Sequence, residues 1–349
     1  MSSTLAIETS CDDTSVGIIR FEDNQFYVDH LQAYSQIEHH QPYGGVVPEI
    51  AFRLHSEHIL SLIKHVPETL MRDIDRISVT THPWLGGSLL VGKTVAQSLG
   101  LHYEKPVIGV HHIYGHIFSL LLERDVSKLP FPRIVLTASG GHNEIYHIER
   151  KKKKWSKKIK WDLGEIFTPF SLDDLVITSL GKTLDDAAGE CFDKVARMLG
   201  GPYPGGQWIS ELALKWKKNP SFRFKRIMLE EHFNPYDFSF SGMKAQMYTL
   251  LQTLEKDGII LTEAILADIA YEFQEAIVEV LVMKLEQAAE RYQAQTIGIV
   301  WWVSANDRLF EMATDVIGKS LEKPVLRPIK KMYSTDNAAM IGVVGLLNN

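Results

Sequence analysis

Short apolar runs, broken by polar or glycine-bearing loops, alternate along this chain with longer stretches of helical periodicity. Leu5-Ala6-Ile7 reads as a strand, residues 8–14 as a polar loop, and residues 15–20, alternating in character, as a second strand. Gly44-Gly45-Val46-Val47-Pro48-Glu49 breaks the chain before a helix predicted over about 50–65. Residues 77–80 form a strand, 82–88 a glycine-bearing loop, and 89–99 a helix that Gly100 should end in the left-handed conformation. A buried strand over 106–110 runs into His111-His112-Ile113-Tyr114-Gly115-His116, and one over 134–137 runs into Ala138-Ser139-Gly140-Gly141-His142. A helix opens at Asp185 and ends near Gly200, with Ala188, Phe192, Val195 and Leu199 as its apolar stripe. Residues 262–289 make a long core helix, 296–300 a buried strand and 307–317 a further helix. Near the end, Asp336 stands at the start of an apolar helix, where it can serve as an N-cap. Strands alternating with helices argue for an α/β protein. The residues themselves show no repeat, so any duplication must be structural.

A chain of 349 residues exceeds one ordinary core, so two domains are expected, and 45% apolar with 23% charged residues suits a globular protein. The net charge of −6 argues against a surface that grips nucleic acid everywhere, and leaves room for a local basic patch. Two cysteines, Cys11 and Cys191, fit structural thiols in a reducing compartment. No run has the length of a membrane span and no leader precedes the first strand, so the chain is expected to be mature and cytoplasmic.

His112 and His116, four residues apart, share a face on a helix, so their imidazoles can reach one metal ion. Two ligands do not complete a site, and such a pair also occurs as satisfied core. Thr9, Ser10, Asp12 and Asp13 suit a phosphate or a metal-bound water, or equally a polar hairpin. Gly140 and Gly141 either let the backbone cradle an anion or make a tight turn. The strand, the loop over 82–88 and the helix after it can likewise present N–H groups to an anion. Asp186, Glu190 and Asp193 form a carboxylate row. The almost solidly basic run over 150–160, with Trp155 inside it, reads as a solvated loop or as a local contact for RNA.

Taken in order, Ile7 to Thr14, the Gly44 to Glu49 break, His112-Ile113-Tyr114-Gly115-His116, Ser139-Gly140-Gly141-His142, Asp185 to Lys194, Pro204-Gly205-Gly206, Phe238 to Lys244, Val303-Ser304-Ala305-Asn306 and Asp336-Asn337-Ala338-Ala339-Met340 resemble the tRNA N6-adenosine threonylcarbamoyltransferase family, whose bacterial members are called TsaD. The resemblance implies an actin-like ATPase fold, two ribonuclease-H-like lobes around a central cleft. Residues 1–110 with about 326–349 would form the N-terminal lobe, and about 111–325 the C-terminal lobe with a basic insertion near 150–180. It implies transfer of the threonylcarbamoyl group from L-threonylcarbamoyl-adenylate to N6 of adenosine 37 in tRNAs reading ANN codons, with release of AMP. Carried over by motif, His112, His116 and Asp336 are the metal ligands, with iron the expected ion and zinc the alternative. Thr137, Ala138, Ser139, Gly140 and Gly141 match the loop that holds the adenylate, and Asp193, Gly206 and Asn306 match positions at its nucleoside. Asp12 is the candidate catalytic residue, ordering water or the ion, and no general base is named. The implied partners are tRNA, a TsaB-like paralogue and a small TsaE-like ATPase, with no membrane.

Three tryptophans depart from the pattern: Trp84, Trp301 and Trp302 stand where the family has glycine. Glycine belongs where the backbone takes unusual angles or approaches a nucleotide, and an indole fills that space. A gene that encodes glycine with UGA, translated as though UGA meant tryptophan, would give all three. His82, which replaces a further glycine, is not explained this way. Two other functions share features of the chain. A metalloendopeptidase of the sialoglycoprotease type would use the histidine pair, yet the residue after the first histidine is Ile113 where helix-borne zinc proteases carry their glutamate. A sugar kinase or other actin-like ATPase would share the fold, and a non-catalytic actin-like scaffold would follow if the tryptophans block the cleft.

Overall fold

Two five-stranded sheets carry the structure, a computed structural model that describes residues 1–151, 171–216, 221–228 and 234–348. In the first sheet β1 (Ser2–Glu8), β2 (Asp13–Glu22), β3 (Gln25–Ser35), β4 (Arg76–His82) and β5 (Val107–His111) lie in the order β3-β2-β1-β4-β5. β1, β2 and β3 pair antiparallel through short hairpins, whereas β4 and β5 join in parallel and therefore need crossovers. The helices α1 (Ile37–His40), α2 (Pro48–Lys64) and α3 (Glu68–Arg72) make the first crossover and α4 (Gly86–Tyr103) the second. β5 then runs directly into α5 (His112–Phe118).

The second sheet contains β6 (Arg133–Ala138), β7 (Asn143–Arg150), β8 (Leu175–Gly181), β9 (Thr296–Val300) and β10 (Val325–Leu326), in the order β10-β9-β6-β7-β8. Counted from its own first strand, this is the order of the first sheet again. The duplication absent from the residues is thus present in the topology. Its helices are α6 (Ala188–Met198), α7 (Gly205–Leu214), α8 (Ser241–Lys256), α9 (Glu263–Arg291) and α10 (Asp307–Leu321). The last helix, α11 (Ala338–Leu347), lies on β1, β2 and α5 of the first sheet's unit.

The chain divides into two compact units, Met1–Pro132 with Ile148–Ile177 and Pro328–Asn349, and Arg133–His147 with Thr178–Arg327. Residues 111–132, assigned from sequence to the C-terminal lobe, belong to the first unit together with the tail. Each unit has its own core. Leu5, Ile7, Val16, Ile18, Ile59 and Val79 fill the first, and Leu136, Phe192, Phe238, Phe273, Ile277 and Leu281 the second. In the second, α9 packs against α7, α10 and β6, which explains why so much of this long helix is buried, polar residues such as Glu272, Gln274 and Lys284 included.

Three expectations change. Gly100 does not end α4; the helix continues to Tyr103, and Glu104 takes the left-handed cap at φ 53°. A Cβ on Gly100 would lie 2.6 Å from Val107 Cγ2, so this glycine serves the close approach of helix to strand. Asp336 is not the cap of α11 either: Asn337 caps it, accepting from the Met340 N–H at 3.1 Å. The stretch 185–187 precedes α6, which starts at Ala188. The basic run beyond Lys151 and most of the insertion lie outside the described residues, and among the described residues no helix is long and apolar enough to cross a membrane.

Candidate functional site

The histidine pair is helical, and its surroundings explain why. His111 ends β5 and caps α5, its Nδ1 accepting from the Ile113 N–H at 3.2 Å. One turn apart on α5, His112 and His116 are both fully buried. Gly115 between them lets α11 press close, since a Cβ there would stand 3.0 Å from Ile341 and 3.1 Å from Met340. That contact brings in the residue just before the α11 cap, Asp336. Its Oδ1 lies 3.0 Å from His116 Nε2 and 3.6 Å from His112 Nε2, and the two Nε2 atoms are 3.1 Å apart. All three candidate ligands therefore belong to the first unit.

An ion bound at about 2.1 Å by nitrogen and oxygen holds neighbouring ligand atoms about 3 to 3.4 Å apart. The two separations made by His116, 3.0 and 3.1 Å, fall in that range, and the His112–Asp336 separation of 3.6 Å lies just above it. The outer contacts of the cluster fit as well. Ser10 Oγ meets His112 Nδ1 at 3.0 Å and Glu8 Oε2 lies 3.2 Å from the same nitrogen, which turns the opposite nitrogen toward Asp336. Carboxylate behind histidine is the usual arrangement around a protein-bound metal. Burial pushes His116 down to about 4, so it is held as the neutral imidazole a metal requires. His112 is raised, because Asp336 and Glu8 outweigh its burial, and Glu8 is lowered, because His112 outweighs the burial of its carboxyl.

The hairpin between β1 and β2 supplies the neighbours. Cys11 Sγ, an Asp12 oxygen and an Asp336 oxygen lie within 4.8 Å of one another, so Asp12 adjoins the candidate metal cluster. Burial, then the charge of Asp336, lifts Asp12 to about 6, and burial with Asp12 and Asp336 raises Asp13 well above the carboxylate range. Neither Cys11 nor Cys191 forms a disulfide. Trp84 stands edge-on to His112 with ring centroids 6.1 Å apart. Its φ is 107°, and that of Trp301 is 78°, both in the region that favours glycine, whereas Trp302 opens a short helical turn with no such angle. Ile113 is buried, so nothing at that position acts as a protease base.

In the second unit the turn after β6 gathers the other candidates. Thr137 and Ser139 are buried, while Gly140 and Gly141 are exposed. Ser139 Oγ accepts from the N–H groups of Gly141 at 3.2 Å and His142 at 3.0 Å. The nest expected to receive an anion is thus partly filled by this hydroxyl. The start of α6 closes on the turn, with the Gly189 N–H donating to Ser139 O at 3.1 Å and the Glu190 N–H to Gly140 O at 2.9 Å. Only glycine fits at 189, because a Cβ there would come within 2.6 Å of Ser139 O. Asn143 pins the arrangement, accepting from the Ala188 N–H at 2.6 Å.

Asp193, raised by burial, accepts from the Gly205 N–H at 2.6 Å, which fixes the turn bearing Gly206. Asn306 caps α10 through Leu309 N and donates to Ser210 Oγ at 3.1 Å and Gln274 Oε1 at 2.9 Å. Ser210 in turn donates to Gly206 O at 3.0 Å. Asp193, Gly206 and Asn306 are therefore joined through α7. The carboxylate row divides its work: Asp186, just before α6, and Glu190 on it pair with Lys194, while Asp193 is the one that accepts from the Gly205 N–H. The sequence assigns no role to Glu8, Ser210 or Gln274, and it offers Ser10 for a phosphate or a metal-bound water, whereas the structure sets Ser10 with Glu8 behind His112 and Ser210 with Gln274 behind Asn306. The first two were legible as a buried acid and hydroxyl after a strand, but no spacing signals the second pair.

A family model described as tRNA N6-adenosine threonylcarbamoyltransferase matches residues 30–171 and 170–343. Relatives of that name from Bdellovibrio bacteriovorus and Prochlorococcus marinus are 39% and 37% identical to this chain, over 98% and 99% of it and 92% and 90% of their own lengths. One from Staphylococcus aureus is 38% identical over 98% of the chain and 90% of its own length. Among solved structures, HypF from T. kodakarensis aligns with a TM-score of 0.55 at 13% identity, covering 99% of this chain and 47% of that one. Full-length HypF in its phosphate- and nucleotide-bound form aligns at 0.53 and 14%, covering 99% and 55%. These two likenesses show the fold alone, the actin-like ATPase fold.

Proposed function

The chain belongs to the tRNA N6-adenosine threonylcarbamoyltransferase family, and from that premise we infer its reaction in detail. The N6 amine of adenosine 37, in a tRNA reading ANN codons, attacks the carbamoyl carbonyl of L-threonylcarbamoyl-adenylate. A C–N bond forms, the bond from that carbon to the phosphate oxygen breaks, AMP leaves, and the amine gives up one proton. The observation that carries this reading is the convergence of His112 Nε2, His116 Nε2 and Asp336 Oδ1 in a buried cluster of the family's own motif residues.

Iron is the ion assigned to these three ligands, with zinc the alternative, and it would supply Lewis-acid polarisation of a carbonyl or phosphate oxygen of the adenylate. Glu8 and Ser10 hold the ring of His112 in the tautomer that leaves Nε2 free to bind. Asp12, beside Asp336, orders water or the substrate at the cluster. Thr137 through Gly141 receive the adenylate, with Asp193, Gly206 and Asn306 at its nucleoside. A TsaB-like paralogue and a TsaE-like ATPase are the partners, and the cytoplasm is the compartment; two free thiols support the latter. The test is AMP release with adenylate and partner proteins supplied. AMP should appear in step with tRNA carrying A37 and not with the same tRNA carrying G37. Release indifferent to that base contradicts the assignment.

A further inference from the structure

Two imidazoles and an amide behind the hairpin of β1 and β2 have no part in the reaction as assigned. Gln36, His40 and His55 are wholly buried, Gln36 just before α1, His40 on α1 and His55 on α2, all in the first unit. Their hydrogen bonds run in one direction. The Val47 N–H donates to His40 Nδ1 at 3.2 Å, so His40 carries its proton on Nε2 and donates to Gln36 Oε1 at 3.1 Å. Gln36 Nε2 then donates to His55 Nδ1 at 3.3 Å, where Thr14 Oγ1 also donates at 2.7 Å. That leaves His55 Nε2 to donate to Cys11 O at 3.0 Å, a carbonyl that can only accept. Burial lowers both histidines, which keeps them neutral and this order of donors and acceptors in place.

The hydrogen bonds end on Asp12. Cys11 O and Asp12 O belong to the two peptide groups on either side of the Asp12 Cα. His55 Nε2 holds the first, and the Gln36 N–H holds the second at 3.1 Å. Each peptide group is planar, so fixing both leaves the Asp12 backbone little freedom to turn. The side chain it carries adjoins Asp336. The break over Gly44–Glu49 takes its place here too: Val47 orients His40, and α2 starts at Pro48, two turns before His55. We propose that His55 is a positioning residue for the transfer reaction, holding the Cys11–Asp12 peptide, with Gln36 and His40 behind it, so that the Asp12 carboxylate stays beside Asp336. This rests on Asp12 acting in the assigned reaction.

Two substitutions separate the ends of the His55 ring. Asparagine places its amide near the level of Nδ1, so His55→Asn keeps an acceptor for Thr14 and Gln36 and leaves Cys11 O unpaired. Glutamine reaches about as far as Nε2, so His55→Gln restores that donor. The experiment measures transfer to tRNA with adenylate and partner proteins supplied, metal content, and the alkylation rate of Cys11, on the chain as written and with glycine at 84, 301 and 302. Cys11 is partly exposed and reports on the hairpin, whereas Cys191 is buried. His55→Asn should lower kcat about 10- to 100-fold, with KM for tRNA and metal content unchanged, and its Cys11 should react severalfold faster. His55→Gln should match the parent in all of these. In an Asp12→Asn background, His55→Asn should lower kcat no further. With a parent that transfers, equal losses in His55→Asn and His55→Gln, kcat in His55→Asn within twofold of the parent, a further loss in the Asp12→Asn background, or Cys11 alkylated alike throughout overturns the positioning role alone. No transfer by either form of the parent, with Cys11 faster in His55→Asn only, overturns the reaction alone. No transfer with any other alkylation pattern overturns both.

Discussion

Replacing Glu8 by glutamine should weaken metal binding while leaving the fold in place. The carboxylate of Glu8 is fully buried and accepts from three donors, the Ser10 N–H at 2.5 Å, Thr80 Oγ1 at 2.5 Å and His112 Nδ1 at 3.2 Å. Glutamine has nearly the same shape but offers one acceptor oxygen, and its NH2 must face at least one of those donors. One or two charge-assisted bonds are lost, each worth about 1.5–3 kcal/mol. The effect reaches the metal through His112, whose Nδ1–H is no longer held and whose Nε2 is no longer fixed toward Asp336. Losses of this type lower metal affinity about 10- to 100-fold. That equals roughly 1.4–2.7 kcal/mol of binding energy, less than the hydrogen-bond loss because the apo protein bears part of it. Competition against a chromophoric chelator measures the affinity, and circular dichroism checks that the variant is folded. A folded Glu8→Gln protein with affinity within twofold of the wild type would refute the orienting role of Glu8.

Asp336→Asn and His116→Ala should each abolish stoichiometric metal binding, read by elemental analysis after gel filtration, because two remaining ligands do not hold an ion tightly. Gly100→Ala should destabilise by about 1–3 kcal/mol in urea, since its methyl would stand 2.6 Å from Val107; an unchanged midpoint contradicts the packing reason for this glycine. Burial lowers Lys284 to about 8 from 10.5, so between those values the unfolded chain binds a proton the folded chain has shed. Stability should therefore rise with pH from about 8 to 10.5, by about 1–3 kcal/mol, and Lys284→Met should lose that part of the rise in denaturation curves at the two pH values. Trp84 is half-buried at φ 107°, so relief of about 1–3 kcal/mol of backbone strain should offset the lost indole packing in Trp84→Gly. Codons 84, 301 and 302 should read UGA in the gene, and UGG there would end the recoding account.

The strands and the histidine pair were legible because their signals are local. An apolar run bounded by turn residues, or two histidines four apart, needs no knowledge of what lies across the fold. Asp336 was assigned only through the family motif, since more than two hundred residues of sequence separate it from its partners and a cap was the natural local reading. The structure shows the reason: Asn337 takes the cap and releases Asp336 to the histidines. Gly100 misled for a related cause, because a glycine near a helix end looks the same whether it serves a turn or a tight contact with β5. The tryptophans show the reverse case. Sequence comparison marked all three positions, and the backbone distinguishes 84 and 301, which have positive φ, from 302, which does not. The contacts of Ser210 and Gln274 were hidden because hydrogen bonds between distant segments follow no spacing, whereas Glu8 and Ser10 stand legibly at the end of the first strand.

The central claim is that the His112–His116–Asp336 cluster serves threonylcarbamoyl transfer to tRNA. It is tested most directly by mass spectrometry of nucleosides from an unmodified tRNA incubated with L-threonylcarbamoyl-adenylate, the partner proteins and either the parent chain or its Asp336→Asn variant. The parent is tested both as written and with glycine at 84, 301 and 302. Threonylcarbamoyladenosine at position 37 with a parent chain, and its loss in Asp336→Asn, is the predicted result. Equal modification by Asp336→Asn, or none by either form of the parent, would contradict the account.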